Sequence, residues 1–541
     1  MIKNIEKYPI ITLSIVALLM LMVHLDVPNI TIMEARNFIT AREMVTDNNW
    51  LLTTLNAEAR YQKPPFPTWM TAFSALLFGI NKVYALRLPA ALMVLFSGIY
   101  VYLLSLKLKL PKKQGLQNGL ILITSFYVFA IINEAPWDIY THGFMLAGLY
   151  FLFGVLKKSS SLWKNTLLSS LFIGLSILSK GPIALYTMFL PFLISYGLIF
   201  KYKDLKKKAL PLISLILLSI IIGGWWFVYV RVVDSAAFLE IATKETNNWS
   251  SYNIKPFYYY WSFFTQSGIW TIPAFIGLFY PYLVKRIENR KVYKFTFWWT
   301  ISALVLLSII PEKKPRYLVP VLIPLALNTG FYIQYLIRNF KNLHSKKETI
   351  PVYFNFGLIA MIGVFLPIVL YFVLKEQLHE YLIHYILTSI AILLTSLVII
   401  RNLMIRNFKN IFYLTVFFMV SLLIFGLPIS KSFNENKAYN SINSLHRIES
   451  KSNIITYSIG EITPELLWDY NGILINIYKN EVLTIPEENN FGILLMNKDI
   501  ENITSRLSQA YNMELLETYN LNVGSKKKER LIRQFYLVSK K

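Results

Sequence analysis

The residues able to do chemistry fall in five short segments: MEARNF (33–38), YQKPPFP (61–67), NEAPWDIY (133–140), LSKGP (178–182) and PEKKPRY (311–317). Together they supply the cations Arg36, Lys63, Lys180, Lys313, Lys314 and Arg316, and the carboxylates Glu34, Glu134 and Asp138. Lysine offers a phosphate a point charge, and arginine can grip it through two parallel hydrogen bonds. A carboxylate among such cations has the surroundings that tune a general base. The Pro64-Pro65 pair fixes the backbone just after Lys63, as suits a positioned ligand. The aromatic run KPFYYYW (255–261) fits a headgroup belt or a sugar platform.

The elements that must carry these groups are membrane spans. The chain has 541 residues, is 55% hydrophobic and only 16% charged, with a mean hydropathy of +0.46. Apolar runs long enough to cross a core of roughly 30 Å recur along it. Thirteen spans are expected, near 8–25, 83–106, 116–134, 139–156, 163–179, 182–200, 208–230, 262–284, 293–311, 316–338, 352–374, 380–400 and 411–429. The first, after Lys3 and Lys7, lacks a small-x-small cleavage site and reads as a retained span. The piece 66–80 is about 15 residues, too short for a comfortable crossing. Leaving it out places KLKLPKKQG, KKSSSLWK, KYKDLKKK, KRIENRKVYK, RNFKNLHSKKE and RNLMIRNFK all on the cytoplasmic side, in keeping with the positive-inside rule. It then reads as an interfacial amphipathic element.

This count puts the N-terminus in the cytoplasm of a cytoplasmic (inner) membrane protein and the C-terminus outside. The five reactive segments then share the outer face, where the rule disfavours cations and a phosphate partner suits them. A membrane domain of residues 1–430 is expected, with external loops 26–82 and 231–261. Residues 431–541 form a small external α/β domain, with strands expected at NIITYSI, GILLMN and RLIRQFYLV and a helical stretch from Asp499 to Tyr511. The formal charge of +24 is assigned to cytoplasmic loops, not to nucleic acid. Without cysteine there is no disulfide and no thiolate chemistry. HEYLIH (379–384) has the wrong spacing for a zinc helix. No phosphate-binding glycine loop or D-x-D pair supports a soluble nucleotide-sugar donor, and LWDYNG (467–472) is an incomplete fragment of the oligosaccharyltransferase WWDYG signature.

In order and spacing, MEARNFITAREM, NWLLTTLN, YQKPPFPTW, ALRLPAAL, NEAPWDIYTHGFMLAGLYFLF, LSKGP, KPFYYYW and KKPRYLVP resemble the bacterial aminoarabinose transferases and the wider protein-mannosyltransferase-like group, which have the GT-C fold. The resemblance covers roughly residues 25 to 330. It implies transfer of a sugar from a polyprenyl (undecaprenyl) phosphate to an envelope acceptor, whether lipid A, a glycan or a protein. By residue it implies Asp138 as the second-turn acid and Lys180, Arg316 and Tyr317 as holders of the carrier phosphate, with Glu34 and Arg36 in the family's first-loop motif and Lys63 in its Lys-Pro-Pro motif. Joined to the charge pattern, this makes Glu34 and Asp138 the expected catalytic carboxylates, and Arg36, Lys63, Lys180, Lys313, Arg316 and Tyr317 the expected phosphate contacts. Met33 and Gln62 stand where the family has acids, which removes charge from a metal site, so no cofactor or metal is expected. The alternative is a transporter or flippase for an anionic lipid-linked substrate.

Overall fold

A computed structural model describes residues 2–157, 161–434, 436–479, 481–524 and 527–541. Residues 158–160, within the basic loop KKSSSLWK, lie outside the described residues. The chain divides into two compact units, one of residues 1–27 and 61–429, the other of residues 28–60 and 430–541.

The first unit is helical, as lipid requires: a spanning helix satisfies every interior backbone group within itself. Among the described residues nine helices are long and apolar enough to cross a membrane, and the bent pair Lys112–Ile123 and Phe126–Glu134 makes a tenth. Two expected spans are shorter helices, Pro9–Met22 and Leu185–Ile199. The piece expected at 262–284 is broken into a 3₁₀ stretch, Phe263–Trp270, and the short helices Thr271–Gly277 and Tyr280–Leu283. The break falls at Gly268, whose φ of 63° lies in the left-handed region. The thirteen expected spans therefore do not stand as thirteen long helices. Residues 66–80 form a 13-residue helix, Phe66–Phe78.

Three spans pack closely enough to act as one frame: Pro136–Leu156, Leu162–Lys180 and Ala209–Val233. A Cβ on Gly148 would lie 2.6 Å from Ile173, one on Gly174 would lie 2.6 Å from Ile222, and one on Gly223 would lie 2.5 Å from Ile177. Small residues at these crossings let backbones approach where no hydrophobic force between helices is available. Hydroxyls add hydrogen bonds between helices: Ser169 donates to the Gly148 carbonyl at 2.9 Å and Ser176 to the Thr141 carbonyl at 2.7 Å.

The second unit joins the helix Ile32–Thr46 to the tail. Its strands are β1 (Thr54–Leu55), β2 (Glu58–Ala59), β3 (Thr456–Ser458), β4 (Tyr478–Lys479), β5 (Val482–Leu483), β6 (Asn490–Leu495), β7 (Tyr511–Asn520) and β8 (Ile532–Lys540). The main sheet runs β3-β6-β8-β7, with β3 parallel to β6 and the other pairs antiparallel. A boundary near 430 is expected from sequence, yet residues 28–60 pack with the tail. The reason is an apolar face: Phe38 meets Trp468 edge-on at 5.4 Å, and Ile39 joins a core with Leu466, Leu467 and Phe535. Arg42 donates to Asn471 at 2.7 Å, and Asn56 exchanges two 2.8 Å hydrogen bonds with the Leu474 backbone.

Candidate functional site

Asp138 is the third residue of the Pro136–Leu156 helix, which starts on a proline at its first position. Lys180 is the last residue of Leu162–Lys180, which stops because Gly181 takes a φ of 80°. The glycine-lined packing of these two helices brings their ends together, and Lys180 Nζ forms an ion pair with Asp138 Oδ1. Asp138 is buried, and its second oxygen, Oδ2, has no hydrogen-bond partner among the described residues. Lys63, Lys180 and His142 are the charged or titratable groups acting on this carboxylate. Lys63 Nζ lies 5.4 Å above the ring of Trp137, the residue before Asp138.

Tyr317 sits at the centre of the cations. Lys180 Nζ is 5.1 Å from its ring centre, Lys314 Nζ 5.7 Å and the Arg316 guanidinium 5.8 Å. Its hydroxyl donates to Glu312 Oε1 at 3.1 Å, and Glu312 also pairs with Lys314 at 2.5 Å. Lys180 and Lys314 thus each hold a carboxylate. The Arg316 guanidinium makes no hydrogen bond or ion pair among the described residues. A guanidinium beside two other cations favours an anion, and its fork fits phosphate.

The PEKKPRY segment is held by the middle loop. Tyr260, from KPFYYYW, is buried, donates to the Lys314 carbonyl and accepts from the Lys314 N–H, both at 3.0 Å. Burial pushes its hydroxyl above the ordinary tyrosine range. Lys313, expected at the phosphate, is buried and donates to the carbonyls of Ile310 (2.6 Å) and Lys255 (3.0 Å), so its ammonium ties two loops together.

Glu34 and Arg36 belong to the second unit. Glu34 is fully buried and closes a capping box: its carboxylate accepts from the Thr31 N–H at 3.0 Å, and Thr31 Oγ1 accepts from the Glu34 N–H at 3.3 Å. That is a structural duty beside the catalytic part expected for Glu34. Arg36 is exposed, with the Met33 sulfur 4.0 Å from one guanidinium nitrogen. Glu134 faces Tyr127. The structure therefore brings Asp138, Lys63, Lys180, Arg316 and Tyr317 together, and gives Lys313 and Glu34 hydrogen bonds to backbone groups.

Sequence reasoning missed Glu312, Tyr260 and His142. Glu312 and Tyr260 were in view inside PEKKPRY and KPFYYYW, but the part each plays shows only once loop register is known, as does that of His142. Asp138 is held by an ammonium, and no group of three His, Asp or Glu side chains close enough to share an ion occurs among the described residues.

Residues 62–226 match the family model described as dolichyl-phosphate-mannose-protein mannosyltransferase. Over 313 residues the chain is 28% identical to an uncharacterized protein of Aquifex aeolicus, covering 56% of this chain and 60% of that one. It is 22% identical over 327 residues to undecaprenyl phosphate-alpha-4-amino-4-deoxy-L-arabinose arabinosyl transferase 2 of Proteus mirabilis, covering 57% and 56%. The chain thus matches under two thirds of the length of these relatives. The solved structure of ArnT from Cupriavidus metallidurans superposes with a TM-score of 0.68 at 17% identity, over 98% of this chain and 97% of that one. The fold is GT-C, that of a class of multi-pass membrane glycosyltransferases. Within it, the chain is similar in sequence to undecaprenyl-phosphate aminoarabinose arabinosyl transferases.

Proposed function

We propose that the chain is a glycosyltransferase taking a sugar from a polyprenyl-phosphate carrier and passing it to an envelope acceptor. The single observation that carries this reading is the cation cluster at Tyr317, in which Lys180 and Lys314 are balanced by carboxylates and Arg316, among the described residues, is not. Charge grows on the phosphate as it leaves the sugar, and preorganised cations lower that barrier. Lys63, Lys180 and Arg316 take this role. Asp138 holds Lys180 through Oδ1, and Oδ2 is the oxygen left to receive a proton from a hydroxyl acceptor. The relatives named as undecaprenyl-phosphate arabinosyl transferases, and an ArnT structure bound to undecaprenyl phosphate, support this donor class.

The membrane is the cytoplasmic one, with the N-terminus inside and the cation cluster and tail on the outer face, by the charge of the connecting loops. The acceptor is lipid A, a glycan or a protein. Binding of undecaprenyl phosphate to purified protein in nanodiscs tests the site. Arg316→Met and Lys180→Met should each weaken it by roughly 10- to 100-fold, as for a lost hydrogen bond to a charged group. Unchanged binding in both variants would remove the phosphate from this cluster.

A further inference from the structure

Lys63 is flanked by two restraints, and only one is visible in sequence. After it, Pro64-Pro65 fixes the backbone. Two residues before it, Tyr61 is buried, and its hydroxyl donates to Asp234 Oδ2 at 2.8 Å. Burial and the neighbouring Asp234 push that hydroxyl above its ordinary range, so it remains a donor at neutral pH. The Tyr61 ring meets the buried Trp226 edge-on at 6.3 Å, and the neighbouring Trp225 stacks on Trp69 at 6.3 Å. Asp234 follows the last residue of the Ala209–Val233 span, and its Oδ1 caps the next helix, Ser235–Ser251, by accepting from the Ala237 N–H at 3.4 Å. The same end of that span also reaches the Lys180 segment, because a Cβ on Gly181 would lie 3.9 Å from Phe227.

We infer that Tyr61 and Asp234 are positioning residues for the carrier phosphate: their hydrogen bond fixes Lys63 relative to the frame that also carries Lys180. This rests on the phosphate-binding reading of Lys63 given above. Neither residue touches the phosphate. Asp234 uses one oxygen to start a helix and the other to hold Tyr61, so the connection that opens the middle loop also sets the Lys63 segment.

The test is a double-mutant cycle on undecaprenyl phosphate binding, using full-length protein in nanodiscs. Tyr61→Phe keeps the ring packing on Trp226 and removes only the hydroxyl, so its melting temperature serves as a check on folding. The expected results are about a tenfold loss of affinity for Tyr61→Phe, a comparable loss for Asp234→Ala, and a smaller one for Asp234→Asn, which keeps an acceptor. In a Lys63→Met background, Tyr61→Phe should cost less than about a further twofold, because the group it positions is gone. A merely structural tyrosine would give the same loss in both backgrounds, and that additivity would overturn the inference. So would wild-type affinity in Tyr61→Phe when Lys63→Met itself binds weakly. Wild-type affinity in Lys63→Met would instead defeat the underlying reading of Lys63, and the positioning role with it.

Discussion

Lys180 and Asp138 form an ion pair between the last residue of one span and the third residue of another, with Asp138 almost wholly enclosed. Removing one partner of an enclosed pair strands the other charge, at a cost of roughly 3–5 kcal/mol. Lys180→Met should therefore lower thermal stability, and Asp138→Asn should lower it less, since the charge that it strands, on Lys180, is the more exposed of the two. Asp138→Leu with Lys180→Met should recover most of the stability and none of the activity. Melting curves and a transfer assay on the same preparations check this. Recovery of activity in the double variant would make the pair structural only.

Glu34 gives a prediction opposite to the one its sequence position suggests. Glutamine also serves at the third position of a capping box. Glu34→Gln should thus keep activity within a few-fold of wild type, and Glu34→Ala should cost about 1 kcal/mol by loss of the cap. Circular dichroism melts and initial rates decide it. A rate loss of a hundredfold or more in folded Glu34→Gln would restore Glu34 as a catalytic carboxylate.

The cations and their shared end of the bundle were legible because membrane topology makes misplaced charge conspicuous: Lys63, Lys180 and Arg316 stand out against the positive-inside pattern, and the structure gathers all three about Asp138 and Tyr317. The strands β3, β6 and β8 and the Ile500–Leu507 helix were likewise readable from composition. What charge cannot tell is which groups already have partners. Lys313 and Lys314 are adjacent and look alike, yet one points at two carbonyls and the other at Glu312. Burial of Phe38 and Ile39 against the tail was hidden for another reason, since contacts between positions some 400 residues apart leave no local pattern. The β7 strand escaped because its YNMELLETYN stretch alternates poorly and stays largely exposed.

Lys313→Met tests that distinction. The variant loses the bonds to Ile310 and Lys255, so it should lower stability by about 1–3 kcal/mol while leaving undecaprenyl phosphate affinity within about twofold once folded. A loss of affinity matching that of Arg316→Met would return Lys313 to the phosphate.

In the second unit, Glu43 is buried and accepts from Thr54 Oγ1 at 2.5 Å, the Asn56 N–H at 2.7 Å and the Ala57 N–H at 3.3 Å. The β1–β2 hairpin, with positive φ at Asn56 and Ala57, depends on that carboxylate. Glu43→Ala should expose residues 54–59 to proteolysis and hydrogen exchange while the sheet β3-β6-β8-β7 stays protected. Equal protection of the hairpin in the variant would show that the hairpin does not need it.

The central claim is that a bond to sugar is made, not merely that an anionic lipid is held or moved. Purified protein in sealed vesicles, supplied with polyprenyl-phosphate sugar labelled in the sugar and with lipid A, glycan and protein acceptors, measures this directly. The account predicts label in a new glycosidic or glycosyl-phosphate product, free polyprenyl phosphate released in equal amount, and loss of both in Lys63→Met and Arg316→Met. Label crossing the vesicle membrane still joined to its carrier, with no new product on any acceptor, would contradict it and make the protein a transporter.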